Sequence, residues 1–311
     1  MKDLDWLMFD INNLMFRILG VEGTRSQVKN EKNLELREQL ILGLWRHSFL
    51  NSIISNITKM KPKKGIVFAY DVGSSWRKQI YPDYKGTREK TAKSLCIDKK
   101  KFFQMTSDFI AELRVAFGGC IHLYQDGIEA DDIIATFVKK HNRDRICLVS
   151  TDKDFYQLHK YPNYSQSIFK GDIAVCPNPT EYLFEKICMG DTSDNIPKIK
   201  YGMGEVKFKE WNESGTLKLL IETDRLVGEN FKMNQSLIDF EFIRDDITEQ
   251  CTKIIEDGFS VKTKHNEYAL YTMVTKYKLH SIERYSMGTI NTFFKNFGKE
   301  FQNDNVDMFV D

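Results

Sequence analysis

Three carboxylates fall within four positions at Glu129-Ala130-Asp131-Asp132, directly ahead of the apolar run Ile133-Ile134-Ala135-Thr136-Phe137-Val138. As a helix start, this spacing puts Glu129 and Asp132 on one face. The N-terminal turn of a helix, with its free N–H groups and dipole, stabilises negative charge. Solvated caps account for one or two such acids. Three acids ahead of a run that should be buried repel one another unless a cation sits between them. Carboxylates are the ligands that a hard cation such as Mg²⁺ takes. On this stretch alone, capping and metal binding stand level.

Further aspartates sit where apolar runs end. Residues 4–10 read as a buried strand ending in Asp10, with Asn12 and Asn13 in the turn after it. Residues 65–71 read as a second strand ending in Asp71, and Ile146–Ser150 as another that runs into Thr151-Asp152-Lys153-Asp154. A short strand at 120–124 leads into the acidic motif and its helix. Each aspartate alone reads as a turn former. Together, four strand ends deliver carboxylates to one edge. Helical periods at 35–58 and 102–117 lie between the strands, so the pattern is βαβ with a mostly parallel sheet. Sites in such sheets form outside the carboxyl ends of the strands.

Beyond residue 160 the pattern changes. Residues 164–176 read as a hairpin. Asn178-Pro179-Thr180-Glu181 starts a helix, with a cap, a proline in the first position and an acid three residues after the cap. That helix, the Gly-bearing turn 190–204 and a second helix at about 205–212 form a helical hairpin whose backbone N–H groups can hold a phosphate. The ordinary alternative is a plain turn between two helices. Residues 213–311 read as helices with polar connections, ending in an acidic tail from 303 to 311.

The 311 residues suffice for one large α/β domain or two smaller ones. Hydrophobic residues make up 41%, enough for a core, and no run approaches the roughly 20 apolar residues of a membrane span. Met1-Lys2-Asp3-Leu4-Asp5 is acidic where a secretion signal is basic. Cys96, Cys120, Cys147, Cys176, Cys188 and Cys251 show no CxxC spacing, so free thiols and a cytoplasmic location are expected. The dispersed histidines argue against zinc. Net charge is +1, yet residues 59–101 carry 13 Lys/Arg against 4 Asp/Glu, while acids gather at 126–154 and 181–194. A basic segment beside an acidic centre suits an anionic polymer held near metal-binding carboxylates. A solvated lysine-rich surface is the plainer account of the charge alone.

The chain resembles the 5′-nuclease family: flap endonucleases, the 5′-nuclease domains of bacterial DNA polymerases and bacteriophage 5′-exonucleases. Six elements carry the resemblance in the family's order over roughly residues 4–215. They are Asp10 with Asn12; Asp71; Tyr84-Lys85-Gly86-Thr87-Arg88; Asp126 to Asp132; Ser150 to Asp154; and Gly190 to Ile196. Leu237 to Ile243, with the compact size, is most similar to the branch that holds the T-even phage ribonucleases H. The resemblance implies an α/β fold, with a central, mostly parallel sheet flanked by helices (a PIN-like 5′-nuclease core). A mainly helical C-terminal region would contain a helix–three-turn–helix. It implies a nuclease domain at 1–178 with a basic arch at 73–101. A DNA-binding domain at 179–311 would hold the helical hairpin at 180–212.

The implied site follows residue by residue. Asp71, Glu129, Asp131 or Asp132, and Asp152 correspond to ligands of a first Mg²⁺, with Asp10 in the same cluster. Asp154, Asp191 and Asp194 correspond to residues around a second, and Mn²⁺ is a substitute cation. Lys85 and Arg88 match the basic pair that meets the scissile phosphate, and catalysis would rest on these two with Asp132 and Asp152. Tyr84 matches an arch-base aromatic on which a terminal base stacks. Arg77 and Lys78 are additional phosphate contacts. Lys198, Lys200, Gly202, Gly204 and Lys207 belong to the duplex grip. The family's lysine stands two positions after the second glycine of Gly-x-Gly. Here Glu205 and Val206 precede Lys207, which puts K⁺ binding at the hairpin in question. The implied activity is hydrolysis from the 5′ end of RNA or DNA annealed to DNA, cutting of 5′ flaps, and removal of RNA primers during phage replication. The implied partners are RNA–DNA hybrid and flap or nicked duplex, and a single-stranded-DNA-binding protein on the C-terminal region of a monomer. A PIN-type single-strand endoribonuclease would lack the arch and the hairpin. A non-catalytic junction-binding scaffold would have lost carboxylates. A haloacid-type phosphatase needs DxDx(T/V), which Asp10-Ile11-Asn12 does not supply.

Overall fold

The computed structural model describes residues 3–86, 97–169, 172–261 and 264–304, with side chains left out at Phe169 and from 298 onward. Arg88 and Cys96, the centre of the basic segment and the end of the acidic tail therefore lie outside the described residues.

The sheet is built on β1 (Trp6–Asp10), which is buried along its whole length. Its side chains alternate between two apolar layers, Leu7 and Phe9 on one face, Trp6 and Met8 on the other. A strand apolar on both faces belongs in the middle of a covered parallel sheet. It pairs in parallel with β2 (Gly65–Ala69) on one side and β4 (Ile146–Val149) on the other. Then β3 (Ile121–Leu123) extends the sheet beyond β2, and β5 (Tyr164–Phe169) extends it beyond β4. The order is β3-β2-β1-β4-β5-β6, where β6 (Asp172–Ile173) is the antiparallel edge strand of a hairpin with β5. The chain builds outward from β1 in one direction and then crosses over to build in the other. The carboxyl ends of β1 and β4 therefore flank the switch point, where an open crevice forms.

One face carries α1 (Ile11–Gly23), α3 (Leu34–Met60) and α4 (Lys99–Ala116). Its centre is aromatic: Trp45 stacks on Phe49 at 4.9 Å and donates to Met15 O at 3.0 Å. The other face carries α5 (Ala130–Lys140) and α10 (Asp245–Ser260), through Ile133, Phe137, Ile247 and Ile255. Residues 11–23, where the sequence suggests a turn at Asn12 and Asn13, are helical. The reason is local: the Asp10 carboxylate accepts from Asn13 N at 3.0 Å and caps α1 immediately after the strand. The short α2 (Ser26–Lys29) follows.

Four helices, α6 (Pro179–Met189), α7 (Glu205–Glu213), α8 (Thr216–Thr223) and α9 (Arg225–Ile238), surround a small core of Cys188, Ile199, Met203, Phe208, Leu217 and Val227. As the sequence implies, Asn178 caps α6 by accepting from Glu181 N, with Pro179 leading the helix. Beyond α10, the helices α11 (Glu267–Lys276), α12 (His280–Tyr285) and α13 (Met287–Asp304) return to the aromatic face, where Leu270, Val274 and Ile290 are fully buried. The described cysteines are all free thiols. Among the described residues no helix is long and apolar enough to cross a membrane.

Candidate functional site

The carboxyl edge of the sheet gathers four aspartates from four elements. Asp10 ends β1 and is buried. Ser150, just past β4, donates to Asp10 Oδ2 at 3.1 Å and accepts from Asp152 N at 3.1 Å, which ties two strand ends together. Asp71, just past β2, accepts from Ala130 N at 2.7 Å and so caps α5 from outside that helix. Asn12 exchanges two 3.4 Å bonds with the Asp71 backbone, and Asn13 accepts from Thr151 N and Oγ1 at 3.0 Å. The two asparagines therefore hold the neighbouring strand ends in register with Asp10. Asp131, in the first turn of α5, completes the group.

These carboxylates act on one another. Burial, then the charges of Asp152, Asp10 and Asp71, pushes Asp131 well above the ordinary carboxylate range. Burial, with Asp71 and Asp152, pushes Asp10 up to about 7. An acid held above its unfolded value keeps a proton in the fold that the unfolded chain releases. Stability therefore falls as pH rises from the ordinary carboxylate value of about 4 to about 7. In chelator, the thermal midpoint should be lower at pH 8 than at pH 5.5. Asp10→Asn should flatten that slope, and an unchanged slope would contradict the cluster.

Asp131 and Asp132, left open as a pair by the sequence, have different surroundings. Asp132 is 0% exposed. Its carboxylate accepts from Arg77 Nη2 at 2.7 Å, Arg77 Nη1 at 3.1 Å and Trp76 Nε1 at 2.7 Å. The Arg77 guanidinium is only 2% exposed, and it also bonds Glu129 Oε2 at 2.6 Å and Leu237 O at 2.8 Å. Leu237 to Ile243 is likewise a docking segment: Gln157 Nε2 donates to Ile238 O at 3.0 Å and Gln157 Oε1 accepts from Phe240 N at 2.8 Å. Lys78, by contrast, is exposed.

Glu129 joins the two surroundings. Although burial opposes its charge most strongly, Lys85 and Arg77 together pull its carboxyl down to about 2. Lys85 Nζ pairs with Glu129, and Lys85 N donates to Asp194 O at 2.8 Å. Tyr84 is 4% exposed, with its hydroxyl 3.2 Å from Asp194 Oδ2 and 3.5 Å from Glu129 Oε2. The Tyr84 ring, expected as a base-stacking surface, is packed among Ile187, Ile196 and Leu237.

Asp154 and Asp191 meet at Lys186, and Asp194 follows in the same turn as Asp191. Asp191 accepts from Ser193 N at 2.7 Å and from Ser193 Oγ at 2.6 Å, and Asp194 is buried. Lys186, from the last turn of α6, pairs with Asp154 Oδ1 and lies 3.0 Å from Asp191 Oδ2. The sequence reading missed Lys186 and assigned no role to Ser150, Ser75 or Trp76. A lysine one turn before Gly190-Asp191 was the only signal for the first. Gly190 makes the turn at φ +69°, and a Cβ there would lie 2.4 Å from Ile196 O and 2.5 Å from Pro197 O. Gly190→Ala should cost about 1–3 kcal/mol in urea unfolding. A variant as stable as the parent would contradict this reading of the turn. In the rest of the hairpin, Lys198 Nζ donates to Met203 O at 2.8 Å and Lys200 pairs with Asp224 at 3.1 Å. Gly202 takes φ +74°, Gly204 opens α7 without a side-chain cap, and Lys207 lies 6.0 Å over the Trp211 ring. Asn195 Nδ2 donates to Asp83 O at 2.9 Å, which docks the hairpin turn on the base of the basic segment.

The donor set fits a hard divalent cation. Burial and the neighbouring carboxylates disfavour the charges of Asp10 and Asp131, and a cation would relieve that. Among the described residues no group of three or more His, Cys, Asp or Glu side chains is close enough to hold a metal ion as it stands. Mg²⁺ retains several waters, so ligands that act through water are compatible with that spacing.

Fold, strand-end carboxylates and hairpin together define a class. Residues 6–175 match the family described as 5′-3′ exonuclease, N-terminal resolvase-like domain. The chain belongs to this family, and the enzyme is a 5′-nuclease. The ribonuclease H of Enterobacteria phage T4 is 31% identical over 243 residues, which span 69% of this chain and 78% of that protein. The 5′-3′ exonuclease of Bacillus subtilis (strain 168) is 29% identical over 217 residues, 64% of this chain and 69% of that protein. The same fold is found in the T5 D15 protein co-crystallised with metal ions, at a TM-score of 0.58 and 19% identity over 82% of this chain and 99% of that one. T5 5′-exonuclease with bound zinc gives 0.59 at 20% identity, with the same 82% and 99% coverage.

Proposed function

We propose that this 5′-nuclease is Mg²⁺-dependent and hydrolyses phosphodiester bonds from the 5′ end of RNA or DNA annealed to DNA, and at 5′ flaps. The observation that carries this reading is the convergence of Asp10, Asp71, Asp131 and Asp152 beside Lys85. Those four would hold one cation, and Asp154, Asp191 and Asp194 a second, with Mn²⁺ as substitute. When bound, the cations supply charge neutralisation at the scissile phosphate and an activated water. Glu129 holds Lys85 beside the cluster, where its ammonium can pair with a phosphate oxygen. The hairpin 190–204 grips duplex backbone beyond it. Division into a nuclease domain at 1–178 and a DNA-binding domain at 179–311 belongs to the same reading. So does the placing of Arg88, outside the described residues, on the scissile phosphate.

The likeness to a phage ribonuclease H supports RNA–DNA hybrid as the physiological substrate. We further propose primer removal from lagging-strand fragments during phage replication, by a monomer in the host cytoplasm. Flap and nicked duplex are the proposed DNA partners; the T5 D15 flap endonuclease, of the same fold, forms a pseudo-enzyme-product complex with DNA and metal ions. A single-stranded-DNA-binding protein on the C-terminal helices completes the proposal. A 5′-flap duplex compared with an unpaired strand of the same sequence tests the substrate class. Cleavage near the flap junction, and little of the free strand, is expected. Equal cleavage of the free strand would favour the PIN-type reading.

A further inference from the structure

The two acidic groups differ in one respect. At the first, carboxylates from separate strand ends stand against one another, with Ser150 between Asp10 and Asp152. At the second, an ammonium stands between the carboxylates of Asp154 and Asp191. Lys186 reaches this position from the last turn of α6, with its side chain only 13% exposed. It pairs with Asp154 on one side and lies 3.0 Å from Asp191 on the other. Asp154 is anchored by the turn after β4, and Asp191 by the hairpin turn, so the ammonium spans the two pieces of chain that meet here.

We infer that Lys186 is a built-in counter-ion of the second acidic group, which a divalent cation has to displace from Asp154 and Asp191. This rests on the metal reading proposed above and adds to it a reason for unequal affinities. The first group is a repulsive cluster, for which a cation brings relief. The second already holds a tethered positive charge between Asp154 and Asp191, so a cation competes with a partner that cannot diffuse away. Cation occupancy at the second group is therefore weak in the free enzyme, and the α6 lysine sets that weakness.

Mn²⁺ titration calorimetry on the full chain, with Lys186→Met and Lys186→Arg beside it, tests this. Methionine keeps the length and the helix while removing the charge. The parent should bind one Mn²⁺ tightly and one weakly. Lys186→Met should tighten the weak affinity by about tenfold, the equivalent of one unit of pKa-scale interaction. The tight affinity should stay within about twofold of the parent, because electrostatic influence falls with distance and screening. Lys186→Arg, which restores the charge, should return the weak affinity toward the parent. In chelator, Lys186→Met should also melt below the parent, because Asp154 and Asp191 then face each other without a counter-charge, and Mn²⁺ should restore it. A weak affinity that is unchanged or reduced in Lys186→Met, with the tight site intact, overturns this inference alone. Absence of Mn²⁺ binding in the parent overturns the metal reading itself.

Discussion

Asp131→Asn should lower cleavage of a 5′-labelled RNA–DNA hybrid by at least about 100-fold, beyond what loss of an outer-shell partner of a metal ligand costs. The same substitution should leave the thermal midpoint in chelator unchanged or raised. Both halves follow from one arrangement. Asp131 faces Asp10, Asp71 and Asp152, and its charge is disfavoured by burial and by theirs. Its ionised form therefore contributes nothing to stability at neutral pH, and a neutral amide of the same shape relieves repulsion. What the amide removes is a hard anionic donor. A merely structural acid would show the opposite pattern, with stability lost and residual activity tracking the folded fraction. Hybrid cleavage within about threefold of the parent would remove Asp131 from the site.

Arg77→Met should destabilise the fold by roughly 3–5 kcal/mol, the cost of leaving a buried charge without its partner. Arg77 is enclosed by Asp132, Glu129 and the Leu237 carbonyl, so its removal leaves Asp132 without its counter-charge, Glu129 with Lys85 alone, and one acceptor unpaired. The contact ties the base of the basic segment to both α5 and α9. Urea unfolding at pH 7 measures the loss directly. Adding Asp132→Leu to Arg77→Met should recover part of it, because two apolar groups can stand where the pair stood. Strictly additive losses would contradict the coupling. The activity of Arg77→Met should fall mainly through Lys85, whose position depends on Glu129.

The strand-end aspartates were legible because the signal is repeated: an apolar run, then an acid, at Asp10, Asp71 and Asp152. A parallel sheet converts that repetition into proximity. The capped start of α6 was legible for the same reason, since the cap chemistry is local. The division of labour between Asp131 and Asp132 was not. Adjacent residues in a first helical turn differ by about 100° in direction, and only the position of Arg77 decides which one is consumed. The burial of Arg77 and Tyr84 was not legible either, because sequence reports type and not burial. Arg77 is matched to acids more than 50 positions away. Lys186 was invisible for a related reason. A helical lysine reads as surface unless the fold brings Asp154 to it from 32 positions away. The helix at 11–23 was missed because two asparagines after Asp10 suggest a turn, whereas here they bond to neighbouring strand ends.

In the proposed function, a cation-loaded carboxylate edge cuts a strand from its 5′ end when that strand is annealed. The most direct measurement is cleavage of a matched set of 5′-labelled RNA–DNA hybrid, nicked duplex and 5′-flap substrates, with Mg²⁺ and with chelator. The account expects short 5′ products or released flaps from the annealed substrates with Mg²⁺, none with chelator, and none from Asp131→Asn under either condition. Full cleavage in chelator, or undiminished cleavage by Asp131→Asn, would contradict it.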